Sequence, residues 1–244
     1  MLESFVWGLI AASSLVLGAL LAIFLNIGRR TIGLIMAFGA GVLVSAVAFD
    51  LVEEASTTAP NSGPVIAAGL AAGCLTFFVG DLVIDRMGGE ARKAMTGEQR
   101  EGSPLAIVLG TVLDGVPESM VIGLTLLGGG AIGISYLAAV FISNLPEAIA
   151  STTGLIAGGW SRARVLGLWS FVALISGLAA LAGFTLFDTA PPEAVAFVLA
   201  FAGGAILTML ADTMVPEAYE HAGPLTGVVT TIGFAIAYGL HALA

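Results

Sequence analysis

Two stretches of the chain, LDGVPESMVIGL at residues 113–124 and ISNLPEAIASTT at residues 142–153, place a Pro-Glu pair inside an otherwise apolar run. A proline removes a backbone hydrogen bond from a helix, and a carboxylate is costly to remove from water. In a membrane-spanning helix both are tolerated where neighbouring protein or a water-filled cavity satisfies the polar groups. The two stretches therefore predict helices that face a polar interior.

The composition indicates that this interior lies within a membrane. Of the 244 residues, 58% are hydrophobic and 10% are charged, whereas a soluble chain is about half apolar and about a quarter charged. We therefore expect residues 1–244 to form a single transmembrane domain. Cys74 is the only cysteine, which excludes an intrachain disulfide. The sequence carries no basic patch for nucleic acid and no phosphate-binding loop.

The apolar segments predict an all-α polytopic bundle, because a span needs about 20 apolar residues. The first apolar run follows an acidic rather than a basic start, so we interpret it as a span and not as a cleaved signal peptide. A long polar loop at about 87–103 follows the third span. The eight predicted spans are 4–26, 31–55, 64–86, 104–128, 131–157, 163–187, 192–216 and 224–243.

The basic residues predict the orientation, because they concentrate in cytoplasmic connections. All eight follow the first, third or fifth span: Arg29, Arg30, Arg86, Arg92, Lys93, Arg100, Arg162 and Arg164. We therefore expect both termini to lie outside and the long loop in the cytoplasm. The plasma (inner) membrane is the expected location.

The chain also contains an internal repeat. Residues 38–55, FGAGVLVSAVAFDLVEEA, align without gaps on residues 201–218, FAGGAILTMLADTMVPEA, and the two Pro-Glu stretches align likewise. Each pair runs in opposite directions through the predicted bilayer. Inverted repeats of this kind are typical of secondary transporters.

The acids of the Pro-Glu stretches form candidate ligand sets. Asp114 and Glu118 share one helix face, and Glu147 shares a face with Ser143 and Asn144. No lysine or arginine lies in the interior of a predicted span. The acids are therefore protonated, hydrated or neutralised by a cation, and their oxygen donors suit a divalent ion. The structural alternative is that each carboxyl is protonated and donates a hydrogen bond to a neighbouring helix. The proline beside it then only kinks the helix that carries it.

These motifs resemble those of the ZIP (Zrt-, Irt-like protein) metal transporters. DGVPES and NLPEA are similar to the metal motifs of the family's fourth and fifth helices, and the resemblance extends over nearly the whole chain. It implies divalent metal uptake into the cytoplasm through a centre between helices 4 and 5. It also implies a homodimer, and alternating access in which a transport unit moves relative to a scaffold.

The chain departs from the family pattern at its ligands. Asp114 and Ser143 replace histidines, Gly115 replaces an asparagine, and Ala180 stands where many members have an acid. The resemblance therefore predicts one metal site, formed by Asp114, Glu118 and Glu147 with Asn144 or Ser143. Without imidazole ligands, we expect selectivity to move from zinc towards manganese, iron or magnesium.

Further polar residues near the helix ends are candidates for the cation pathway: Asp50, Asp212, Glu217 and His221. Solvated helix ends explain Glu53, Glu54 and Glu220 equally well. We expect a divalent metal ion (Zn, Mn, Fe or Cd) as substrate, no organic cofactor and no enzymatic activity. The partners expected are the lipid bilayer, divalent cations and a second copy of the chain, with no nucleic acid. The alternatives are an intramembrane aspartyl protease, and a proton-coupled carrier of another solute or a homologue with a degenerate metal site.

Overall fold

A computed structural model describes residues 1–25, 27–89, 104–127 and 133–243. Within these ranges the secondary structure is helical and contains no strand. We number its eight helices α1 Leu2–Phe24, α2 Arg29–Thr58, α3 Gly63–Gly88, α4 Pro104–Leu124, α5 Ile134–Ala157, α6 Arg162–Phe187, α7 Pro192–Ala222 and α8 Leu225–His241.

The predicted all-α membrane bundle is confirmed. In the described part of the chain, six of the helices are long and apolar enough to cross a membrane, while α8 is a shorter apolar helix. Residues 90–103 and 128–132 lie outside the described residues, and with them most of the predicted polar loop and its Arg92, Lys93 and Arg100.

Two helices are longer than the sequence predicts. Helix α2 continues to Thr58 and α7 to Ala222, beyond the expected ends at 55 and 216. Pro216 does not end α7, because it lies in the first turn of an α-helical segment that follows a π-helical turn, Leu210–Met214. A proline in the first turn of a helical segment gives up little, since its amide has no helical partner to lose there.

Two of the π-helical turns follow the internal repeat. Helix α2 has one at Ala46–Glu53 and α7 has one at Leu210–Met214, whereas a further turn at Asp85–Gly89 ends α3. In the alignment of 38–55 on 201–218, residues 210–214 correspond to 47–51, inside the α2 turn. Wide turns of this kind are rare and occur frequently at functional sites. The repeat therefore extends from the sequence to an unusual backbone feature.

The packing of the helices has the same inverted symmetry. The most extensive interfaces are α2 with α7, α2 with α8, α3 with α7, α1 with α6, α1 with α5, and α4 with α6. Exchanging α1 with α6, α2 with α7, α3 with α8 and α4 with α5 leaves this set unchanged. The inverted repeat is thus a property of the fold, and it relates the two Pro-Glu helices to each other.

Glycines set the distance between helices in two interfaces that the repeat relates, α2 with α8 and α7 with α3. A side chain at Gly41 would collide with the backbone of α8 at Thr230, and one at Gly204 would collide with α3 at Leu70. Gly41 and Gly204 occupy the same position of the repeat. Small residues at such crossings let transmembrane helices approach closely and gain van der Waals contact.

Candidate cation-binding site

The first Pro-Glu helix buries both of its acids. Helix α4 continues through Pro117, and the side chains of Asp114 and Glu118 are 5% and 3% exposed. Their spacing of four residues places them on one face, as predicted. Burial to this degree shows that neither acid faces the acyl chains.

The second Pro-Glu helix presents a mixed set of oxygen donors. Helix α5 continues through Pro146, with Ser143 and Asn144 buried and Glu147 half-buried. The Ser143 hydroxyl donates a hydrogen bond to the carbonyl of Val140 over 3.0 Å. Its oxygen lone pairs remain able to accept, as coordination of a cation would require.

Tyr136 connects α5 to α4 at the first Pro-Glu stretch. Its ring is fully buried, and its hydroxyl donates to the backbone carbonyl of Glu118 over 3.3 Å. A buried tyrosine hydroxyl usually finds such a partner. This contact positions the turn of α4 that carries Glu118.

Ser176 of α6 faces Gly115 of α4, in the first Pro-Glu stretch. A Cβ atom at Gly115 would lie 3.6 Å from the Ser176 hydroxyl oxygen, and Ser176 is buried. The α6 side of the first Pro-Glu stretch therefore carries a hydroxyl beside Gly115.

A wide cavity opens at the end of the bundle where α1 begins and α8 ends, which we call the terminal mouth. Its volume is about 530 Å³. Its wall is formed by six helices or by the connections at their ends: α2, α4, α5, α6, α7 and α8. Five of the residues that line it are Asp50, Glu54, Tyr136, Asp188 and His241. Carboxylates on a concave surface raise the local concentration of cations.

Asp50 joins three helices inside the terminal mouth. Its Oδ1 accepts a hydrogen bond from the Ser135 hydroxyl over 2.7 Å and lies 2.9 Å from Nδ1 of His241. The carboxylate thereby ties the π-helical turn of α2 to α5 and α8. His241 is a partner of a predicted pathway residue, a role that the sequence did not indicate.

A small cavity lies towards the opposite end of the bundle, between α2, α5 and α7. Its volume is about 10 Å³, close to the smallest space that holds one water molecule. Glu147 and Glu217 both line it. The structure therefore brings one predicted site residue and one predicted pathway residue to the same cavity.

The other two predicted pathway residues lie apart from this cavity. Asp212 is exposed and lines a groove of about 560 Å³ between α3 and α7. His221 packs beside Gly33 of α2. The pathway roles of Asp212 and His221 stay predictions.

The acids do not form a closed ligand cage. In the described ranges, no three His, Cys, Asp or Glu side chains lie close enough together to hold one metal ion. The donors are instead distributed over α4, α5 and α7. Tyr136 and Ser176 were not identified as site residues from the sequence, because a single tyrosine or serine in an apolar helix carries no periodic signal.

The comparisons with known proteins agree with the transporter motifs. No family model matches the chain. The chain is 26% identical over 212 residues to a candidate zinc transporter from Arabidopsis thaliana, an alignment that covers 85% of this chain. The chain spans about a third (33%) of the length of that curated relative. This similarity to a metal transporter supports the resemblance to the ZIP family, on a chain that folds as a helical membrane bundle.

Proposed function

We propose that the protein transports divalent metal cations of the Zn, Mn or Fe class across the membrane into the cytoplasm. The cation binds the carboxylates Asp114, Glu118 and Glu147, assisted by the oxygens of Asn144 or Ser143, in a conformation that brings these donors closer together than they lie in the described residues. The observation that carries the proposal is that Asp114 and Glu118 are buried and Glu147 is half-buried in two repeat-related helices. An acid at the centre of a bilayer costs about 2.5–3.5 kcal/mol on insertion scales, and a bound cation offsets that cost.

Alternating access is the mechanism that the inverted repeat favours. The cavity at the terminal mouth has a volume of about 530 Å³, whereas the cavity beside Glu147 has about 10 Å³. This difference supports a conformation that is open at the terminal mouth and closed at the opposite end. With both termini outside and the long loop in the cytoplasm, the open end faces outward. The ZIP resemblance further supports a homodimer in the plasma (inner) membrane.

Uptake of Mn²⁺, Fe²⁺, Zn²⁺ and Cd²⁺ into vesicles that contain the purified full chain tests the proposal. We expect the double variant Glu118→Gln/Glu147→Gln to lower uptake by about 10–100-fold or more, the usual effect of disturbing a metal site. The matched control is Glu193→Gln/Glu220→Gln, which removes the same charge from two exposed positions. Equal uptake by the two double variants would contradict the site.

The competing candidate is a proton-coupled carrier or a homologue with a degenerate metal site. The distribution of the acids over separate helices favours this candidate. Vesicles in which no divalent cation enters with the wild-type chain would support it. Competition among the four cations then reports selectivity, and a strong preference for Zn²⁺ would contradict the expected shift towards harder ions.

A further inference from the structure

The small cavity beside Glu147 has a distinctive wall. Three methionines and one alanine surround two carboxylate residues, and all four apolar residues are buried. The six lining residues are Met36, Glu147, Ala150, Met209, Met214 and Glu217. They come from α2, α5 and α7, so the cavity lies where three helices meet.

Gly39 of α2 lies where the side chain of Met214 in α7 and the second Pro-Glu stretch of α5 come near each other. A Cβ atom at Gly39 of α2 would lie 3.1 Å from the terminal methyl of Met214 and 3.2 Å from Cα of Ser143. The same position is 3.5 Å from Cγ of Pro146. This packing is independent of the acids, and it places Gly39 of α2 next to both the Met214 side chain of α7 and the ligand-bearing turn of α5.

The charge of the cavity favours a divalent ion. Two carboxylates in an apolar enclosure repel each other more strongly than they would in water, because the local dielectric is low. One doubly charged cation between Glu147 and Glu217 balances both. The methionines add polarisable walls that tolerate ions such as Zn²⁺ and Cd²⁺.

The inverted repeat gives Glu217 a counterpart on the other side of the bundle. Glu217 aligns with Glu54, and Glu147 aligns with Glu118. Glu54 lines the terminal mouth, at the end of the bundle nearer to Glu118. Each Pro-Glu helix therefore has a glutamate from another helix on one side of the bundle. Glu54 lies on the side of Glu118, and Glu217 lies on the side of Glu147.

We propose that Glu217 of α7 binds the transported divalent cation together with Glu147, on the side of the bundle opposite the terminal mouth. The inference rests on the proposed transport function and extends the binding path from α4 and α5 to α7. The cation leaves Asp114 and Glu118, is held between Glu147 and Glu217, and is released as the cavity opens.

The test compares Glu217→Gln with Glu220→Gln in the purified full chain. The two variants remove the same charge from the same helix, but Glu220 is exposed. We expect Glu217→Gln to lower uptake of Mn²⁺, Zn²⁺ and Cd²⁺ by about 10–100-fold, and Glu220→Gln to leave it within about twofold, as expected of a solvated surface charge. Stabilisation of the protein by added Cd²⁺ in a thermal unfolding experiment is a second readout, independent of transport.

The outcomes separate this inference from the transport function itself. In one outcome the wild-type chain transports cations, Glu118→Gln/Glu147→Gln abolishes transport, and Glu217→Gln behaves as Glu220→Gln does. Glu217 is then not a ligand, and the transport function stands. If the wild-type chain transports no cation, the proposed function fails first. If Glu217→Gln does not fold, Glu217→Asp replaces it in the test. This variant keeps the carboxylate but shortens the side chain by one methylene. Its cation affinity should fall, and an affinity equal to that of the wild type overturns the proposal.

Discussion

The interface of α2 with α8 and that of α7 with α3 are related by the inverted repeat, but their side chains pack differently. In the first, the Phe49 ring lies 6.1 Å from the Phe234 ring and 5.0 Å from the Tyr238 ring, measured between centroids. The His241 ring completes this aromatic cluster at 5.5 Å. The cluster closes the contact between the two helices beside the terminal mouth.

The second interface has an open groove at the equivalent place. Asp212 aligns with Phe49, and the paired glycine contacts place Cys74 and Phe78 where α8 has Phe234 and Tyr238. Asp212, Cys74 and Phe78 line the groove of about 560 Å³. A carboxylate and a thiol thus replace two aromatic rings at matched positions.

The repeat preserves the backbone crossings of the two interfaces but not the side chains beside them. The backbone crossings are preserved, since Gly73 meets α7 at Phe201 as Gly233 meets α2 at Phe38. The side chains that fill the space beside the crossing have diverged. Such asymmetry lets one end of a transporter be open while the other is closed, because the two halves need not stabilise the same conformation.

The largest expected effect concerns the preserved crossings. Gly73→Ala and Gly233→Ala should each lower the free energy of unfolding by about 1–3 kcal/mol, because the added methyl collides with the backbone of the facing helix. Thermal unfolding in detergent measures both. Gly227→Ala, whose methyl would meet nothing within 4 Å, is the control in α8. A large loss of stability at one glycine and none at the other would contradict the equivalence of the two crossings in the repeat.

A smaller effect is expected where the two interfaces differ. Asp212→Phe should raise the free energy of unfolding by about 1–2 kcal/mol, because it removes an exposed carboxylate from a transmembrane helix and fills the groove beside Phe78. The same unfolding measurement tests it. A loss of cation uptake without a loss of stability would instead support the predicted pathway role of Asp212.

The smallest effect concerns the aromatic cluster. Phe49→Leu should lower the free energy of unfolding by about 0.5–1.5 kcal/mol, the usual contribution of aromatic contacts beyond buried area. The variant for comparison in the other half is Phe78→Leu, at the position that corresponds to Tyr238. It should change stability less, because Phe78 is 52% exposed. Equal losses would show that the groove is filled in the membrane.

The sequence predicted the eight helices and the repeat because both depend on local or one-dimensional signals. Apolar runs separated by turn residues indicate spans, and the gapless alignment of 38–55 on 201–218 indicates the repeat. The predicted end of α7 was wrong, since the helix continues to Ala222. The reason is that a π-helical turn accommodates Pro216, and single-sequence patterns do not show such a turn.

The candidate site was predicted only in part for a related reason. Asp114, Glu118 and Glu147 stand out because acids are rare in apolar helices. Tyr136, which bonds the backbone of Glu118, and Ser176, which lies beside Gly115, come from helices other than α4. Their residue types are ordinary in a membrane bundle.

By itself the sequence determined that this chain is a polytopic helical membrane protein with an inverted repeat and buried acids, since hydrophobicity and spacing are properties of the chain alone. Only the tertiary structure decided which acids share a cavity and which end of the bundle is wide. Glu147 and Glu217 line one cavity, and Asp50 contacts His241, because α2, α5, α7 and α8 pack in one arrangement. Contacts between residues distant in the chain follow from that packing, which no local pattern encodes.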